Sequence, residues 1–117
     1  DAEETWVAEK NGVIAGTITL NSTEDPEYAA ISWTEVGFLV VHRLAVNPSY
    51  QGMGIARTLM DFAENWAVGN QVGAIRLDTY SVNHRNVKFY QNRDYTHIGN
   101  VHFRGIDEPF FCFEKLL

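Results

Sequence analysis

The sequence predicts an α/β (α+β) domain with its elements in the order β-β-β-α-β-α-β-β. Three observations carry this. Six short stretches are apolar or alternating like strands, and two carry apolar residues at helical spacing. The length of 117 residues suits one core and leaves no room for a second. No repeat, low-complexity segment or linker interrupts the pattern, so residues 1–117 are expected to form a single domain.

Residues 6–9 and 13–20 read as strands joined at Asn11-Gly12, a dipeptide that supplies the positive φ angles of a two-residue hairpin turn. Residues 21–35 begin with a polar run and read as a surface connection, with 31–33 locally extended. Residues 38–46 are nearly unbroken in apolar character, the mark of a buried central strand, and Asn47-Pro48-Ser49 stops them. Ile55, Leu59, Phe62, Ala63 and Trp66 fall on one face of a helix. Gly69-Asn70 ends that helix, since both residues tolerate the left-handed conformation. Residues 74–80 form a further strand. A second helix, capped by Ser81 or Asn83, runs to about Gln91 with Val82, Asn86, Phe89 and Tyr90 on one side. Residues 96–103 and 109–116 close the chain as an antiparallel pair around the loop 105–108.

Composition removes several function classes. With 9 Lys plus Arg against 15 Asp plus Glu, the net charge of −6 argues against a general nucleic-acid binder, which needs a basic face. Apolar residues at 45% and charged residues at 21% are wrong for a disordered tail. The single cysteine, Cys112, excludes an intrachain disulfide and a zinc site built on paired thiolates. No apolar run approaches the roughly 18 residues of a membrane span. A cytoplasmic setting, with no metal, nucleic acid or membrane as partner, is the expectation.

The chemistry concentrates around Gln51-Gly52-Met53-Gly54-Ile55-Ala56, between the central strand and the first helix. The first turn of a helix has N–H groups without intrahelical partners, and its dipole favours an anion there. Glycines let a phosphate approach those donors, so the loop is a candidate anion site that needs no basic side chain; the plain alternative is a strand-to-helix turn. A nucleotide-kinase loop would need Gly-Lys-Ser/Thr, but Ile55 and Ala56 follow Gly54. A dinucleotide fingerprint would need a third glycine where Arg57 stands.

The stretch from Val41-His42-Arg43-Leu44-Ala45-Val46-Asn47-Pro48 to Ile55-Ala56 resembles the acetyl-CoA motif of the GNAT N-acetyltransferase superfamily: Leu-x-Val, a proline, then Arg/Gln-x-x-Gly-x-Gly/Ala opening a helix. A second stretch, Asn83-x-x-Asn86-x-x-Phe89-Tyr90-x-x-x-Asp94-Tyr95, is similar to the family's Asn-x-x-Ala-x-x-x-Tyr-x-x-x-Gly-Phe. The resemblance implies a mixed, mostly antiparallel sheet flanked by helices and splayed between strands 38–46 and 74–80. It implies acetyl-CoA as co-substrate, with pantetheine against Leu44, Ala45 and Val46. The pyrophosphate would rest on the N–H groups of Gln51, Gly52, Met53, Gly54, Ile55, Ala56 and Arg57, and Asn83 and Asn86 would lie beside the arm. Tyr90 matches the family tyrosine that protonates the departing thiolate; a phenol, ordinarily near pKa 10, holds its proton at neutral pH. Three positions depart from the pattern: Gln51 for Arg, Asn86 for Ala, and Asp94 for a glycine in left-handed conformation.

The chain also begins at what matches the family's second strand, without the usual front strand and helices. An edge left open in this way leads to the expectation of a two-fold dimer or of a longer natural chain. For the base that accepts the amine's proton, His42 is the candidate, because strand alternation places it with Leu44 and Val46 and imidazole titrates near neutrality. Glu35 is the second candidate. His84, His97 and His102 lack metal-ligand spacing, Asp78 reads as structural, and Cys112 reads as inert packing. The resulting expectation is transfer of acetyl from acetyl-CoA to a primary amine by direct attack in a ternary complex. The alternative is a CoA-binding sensor or partner module without turnover.

Overall fold

The computed structural model describes residues 4–23, 26–34 and 36–117. Six strands form one mixed sheet: β1 (Glu4–Lys10), β2 (Val13–Asn21), β3 (Phe38–Val46), β4 (Ala74–Tyr80), β5 (Thr96–Val101) and β6 (Phe110–Leu116), in spatial order β1-β2-β3-β4-β6-β5. Helix α1 (Ile55–Gly69) connects β3 to β4, and α2 (His84–Asn92) follows β4. The element order and mostly antiparallel pairing match expectation, with β3–β4 the parallel pair. Asn11 at φ 53° and Gly12 at φ 78° turn the first hairpin, and β1 is an edge strand with Val7 exposed.

The sheet separates two apolar layers. Leu39 and Val41 of β3, Ile75 and Leu77 of β4 and Phe113 of β6 pack with α1 and with Tyr90 of α2. Val40 and Cys112, which alternate with them, pack with Tyr28 and Val101 on the other face. β3 and β4 pair at Phe38–Ala74, Leu39–Ile75 and Val40–Arg76, and among the described residues no further pair joins them. Beyond Val40 and Arg76 the two strands diverge, while β4 stays paired with β6 along its whole length. The closed end is clamped: the Arg76 guanidinium lies 4.0 Å from the Phe38 ring centre, donates to the Thr34 carbonyl at 2.8 Å and meets Glu114 at 3.5 Å.

Several local expectations are corrected. The connection after β2 is not wholly a surface loop. It contains a 3-10 turn, Pro26–Ala30, whose Tyr28 is 2% exposed, and residues 31–33 form no strand. The α1 face is centred on Leu59, Met60, Ala63 and Ala67, with Ile55, Phe62 and Trp66 at its margins, because the helix lies across three strands and buries a stripe wider than one row. The left-handed residue after α1 is Gln71 (φ 61°), whereas Asn70 has φ −102°. Val82 precedes α2 and is exposed, and β5 ends at Val101. Asp94 does adopt the left-handed conformation, at φ 69°. Glu35 lies outside the described residues.

Candidate active site

The divergence of β3 from β4 opens a cleft of about 930 Å³. Its floor is Leu44 and Val46, on the part of β3 that has lost its β4 partner. One wall is the turn from Tyr50 into α1. Gly52 (φ 81°) and Gly54 (φ 79°) both take the left-handed conformation, which a Cβ disfavours. Gly54 is the N-cap and offers no side chain to the first turn; Thr58 N–H bonds back to the Gly54 carbonyl at 3.0 Å. The N–H groups of Ile55, Ala56 and Arg57 therefore have no acceptor within the helix and face a lining they help to form. A Cβ at Gly54 would also stand 3.2 Å from an Arg57 guanidinium nitrogen. Gly16 of β2 sets the wall's position, since a Cβ there would meet the Ala45 carbonyl at 2.9 Å and the Ile55 side chain at 2.8 Å.

The opposite wall is α2. Asn83 caps it by accepting from the Asn86 N–H at 3.1 Å, so its carbonyl oxygen is engaged and its amide nitrogen is left to donate into the cleft. Asn86, Phe89 and Tyr90 complete this wall. Tyr90 is 5% exposed. Burial, with the negative charge of Asp78 adding and Arg93 opposing, pushes its phenol up to about 12.

The structure thus brings Leu44, Val46, Gln51, Gly52, Met53, Gly54, Ile55, Ala56, Arg57, Asn83, Asn86 and Tyr90 to one cleft. Ala45 does not line it, because alternation turns its side chain to the other face. Three lining residues escaped the sequence reading: Tyr50, Phe89 as a wall residue, and Arg85. Arg85 had a legible signal, four residues before Phe89 on one helix face. With Arg57 it gives the cleft two cationic side chains, so the expected anion site is not built from backbone alone.

His42 requires a correction. In the β2–β3 register Thr19 faces Arg43 and Leu20 faces Val41, leaving His42 as the extra residue of a bulge. A bulge breaks strict alternation, so His42 does not share the cleft face of Leu44 and Val46. Its Nε2 instead contacts the Asn21 side-chain oxygen and, at 3.0 Å, the Thr23 carbonyl. Cys112 is buried, and burial with the Asp78 charge pushes its thiol up to about 12, as inert packing requires.

The donors of the glycine turn, the two arginines and the strand edge exposed by the split suit an anionic group on a long polar arm. Comparison with known proteins agrees. The family model described as Acetyltransferase (GNAT) family matches residues 1–95. A streptothricin acetyltransferase of Escherichia coli is 31% identical over 70 residues, which are 60% of this chain and 34% of that protein. The aligned part is thus about a third of that relative's length. A nourseothricin acetyltransferase structure superposes with a TM-score of 0.78 at 22% identity, covering 97% of this chain and 65% of that one. A GNAT-family acetyltransferase of Listeria monocytogenes gives 0.77 at 21% identity, covering 97% and 64%. At these identities the structures speak for the fold alone, while the family match spans most of the chain. The sheet, the split and the family match lead to one conclusion: this chain belongs to the GNAT acetyltransferase family.

Proposed function

We propose that the protein transfers acetyl from acetyl-CoA to a primary amine by direct attack within a ternary complex. The observation that carries this reading is the placement of Tyr90: a buried phenol on the same cleft as the glycine turn and the open stretch of β3. Acetyl-CoA, the donor the family implies, supplies an activated thioester. The N–H groups of residues 54–57, with Arg57 and Arg85, would hold its phosphates. The backbone of residues 44–46 would hold the pantetheine amides, and Asn83 would donate to the arm through its amide nitrogen. Tyr90, protonated at neutral pH, would donate to the departing sulfur. Because Cys112 is buried away from reaction, direct transfer is preferred to an acetyl-enzyme.

The names of two relatives make streptothricin and nourseothricin the first acceptors to try. The test is an acceptor screen with acetyl-CoA and thiol detection, on this chain and on any longer natural form, with calorimetry of CoA binding beside it. The expected result is CoA binding, thiol release that depends on an amine, and a loss of about 10²-fold in kcat for Tyr90→Phe with CoA affinity nearly unchanged. CoA binding with no acceptor turned over would favour the sensor reading. Full kcat in Tyr90→Phe would assign the thiolate's proton to water.

A further inference from the structure

Tyr90 stands near the end of α2, and the residues that close that helix hold it from behind. Its carbonyl accepts from the Arg93 N–H at 3.0 Å and from the Tyr95 N–H at 3.1 Å, while the Asp94 N–H bonds to the Gln91 carbonyl at 3.1 Å. Such a double-bonded helix end usually takes glycine at its left-handed position, filled here by Asp94 at φ 69°. It folds Tyr95 back against Tyr90, with ring centres 5.6 Å apart. Glu64 of α1 accepts from the Tyr95 hydroxyl at 2.9 Å and from the Lys115 ammonium at 3.1 Å. The Arg93 guanidinium meets the same carboxylate at 3.1 Å and Asp61 at 2.7 Å. The Arg93 side chain is 13% exposed, and its guanidinium lies 5.8 Å from the ring centre of Phe89, a wall residue of the cleft. Its Nε is buried with no hydrogen-bond partner among the described residues, so α1 holds this cation without using all of its donors.

We propose that Arg93, gripped by Asp61 and Glu64, is a positioning residue for Tyr90: it fixes the end of α2 on α1 and keeps a positive charge within reach of the phenol. This rests on the acetyltransferase reading above. The amine nitrogen uses its lone pair to form the bond to the acetyl carbon. The carbon–sulfur bond breaks with its electrons going to sulfur. The Tyr90 hydroxyl gives its proton to that sulfur and becomes a phenolate. The amine nitrogen loses its proton to water, and Tyr90 takes one back from solvent, which restores the group and balances the charge.

A fixed cation stabilises a phenolate that exists only during the step, which is where such a charge raises the rate. The need is real. Burial and the charge of Asp78 push the Tyr90 phenol up to about 12, and Arg93 is the group that opposes them. A phenol so placed gives its proton unwillingly to a thiolate, whose conjugate thiol ordinarily lies near roughly 8.5. Burial also works against the charge of Arg93, but its hydrogen bonds to Asp61 and Glu64 outweigh this and hold its pKa above the ordinary value. The carboxylates of α1 therefore keep Arg93 charged as well as keeping it in place.

The test measures kcat with the amines of the acceptor screen above, with the CoA Kd as the control on folding and on the donor site. Arg93→Met is expected to lower kcat by about tenfold while the CoA Kd stays within about twofold. Arg93→Lys, which keeps the charge, is expected to recover most of that loss. In the Tyr90→Phe background no phenolate forms, so adding Arg93→Met is expected to lower kcat by less than about twofold further. A similar loss in both backgrounds makes Arg93 a general brace of the fold and overturns the assignment. A kcat for Arg93→Met within about twofold of the native value also overturns it and leaves the acetyltransferase reading standing. Full kcat in Tyr90→Phe alone does the same, since it removes the group that Arg93 serves. If Arg93→Met no longer binds CoA, Arg93→Gln takes its place under the same criteria, because it keeps an amide donor for Glu64 and removes only the charge. Loss of CoA binding in that variant too overturns the assignment in favour of the brace. If the native chain binds CoA but acetylates none of the amines, both readings fall together.

Discussion

The two halves of β3 put similar residues to different uses. At its start, Phe38, Leu39 and Val40 are hydrogen-bonded to β4, clamped by Arg76, and Leu39 and Val40 are 4% and 1% exposed. From Leu44 to Val46 the strand is paired with β2 but has lost β4, and Leu44 and Val46 become the floor of a cleft. Both halves are apolar enough to be core. What differs is whether the neighbouring strand stays within hydrogen-bonding reach. A strand edge without a partner has N–H and C=O groups to offer, and in this protein that edge forms one side of the candidate cleft instead of the border of the sheet. The lesson is that the site is made by withholding a sheet contact, while the stability comes from the half where that contact is made.

The comparison can be broken most directly by truncating one side chain in each half. Leu39→Ala is expected to cost about 3 kcal/mol of unfolding free energy, in the range for a buried leucine in a close-packed core. Leu44→Ala should cost less than half of that, and its main effect should fall on CoA affinity. Denaturant unfolding of both variants checks this, and equal destabilisation would mean that the two halves are the same core.

A smaller effect is expected from Gly54→Val, which places a β-branched side chain at φ 79° and against the Arg57 guanidinium. CoA affinity should weaken by about tenfold or more, or roughly 1.4 kcal/mol, with the fold retained. Unchanged affinity by calorimetry would move the phosphates away from this turn. The smallest effect is assigned to His42→Ala. If its ring does no more than hold residues 21–23 against β3, kcat should stay within about threefold of native, and the acidic limb of the pH–rate profile should not move. A steep loss at low pH would restore His42 as the base.

Much of the fold was legible because its signals are local. Asn11-Gly12 could turn the hairpin wherever it stood, since positive φ at two successive residues is a property of those residues. The glycine turn before α1 and the Asn83 cap of α2 are likewise short-range, and each lines the cleft where the motif placed it. The misreadings have a common cause in contacts between distant segments. Strict alternation put His42 beside Leu44 and Val46, but the register with β2 inserts a bulge at that residue, and register is a property of two strands. Tyr28 lay in a run too polar to suggest a core residue, and it is buried against Val40, Val101 and Cys112, which come from distant strands.

The sequence by itself therefore determined the elements, their order, the glycine turn that opens α1, and the membership of Tyr90 in the second helix. These follow from backbone preferences and from apolar spacing within a dozen residues. Only the tertiary structure decided where β3 leaves β4, that Ala45 and His42 turn away from the cleft while Arg85 joins it, and that Tyr28 and Asp78 meet on the far face. Each of these depends on the position of one element relative to another, and a strand's own residues do not specify how far along its length a neighbour stays close enough to bond.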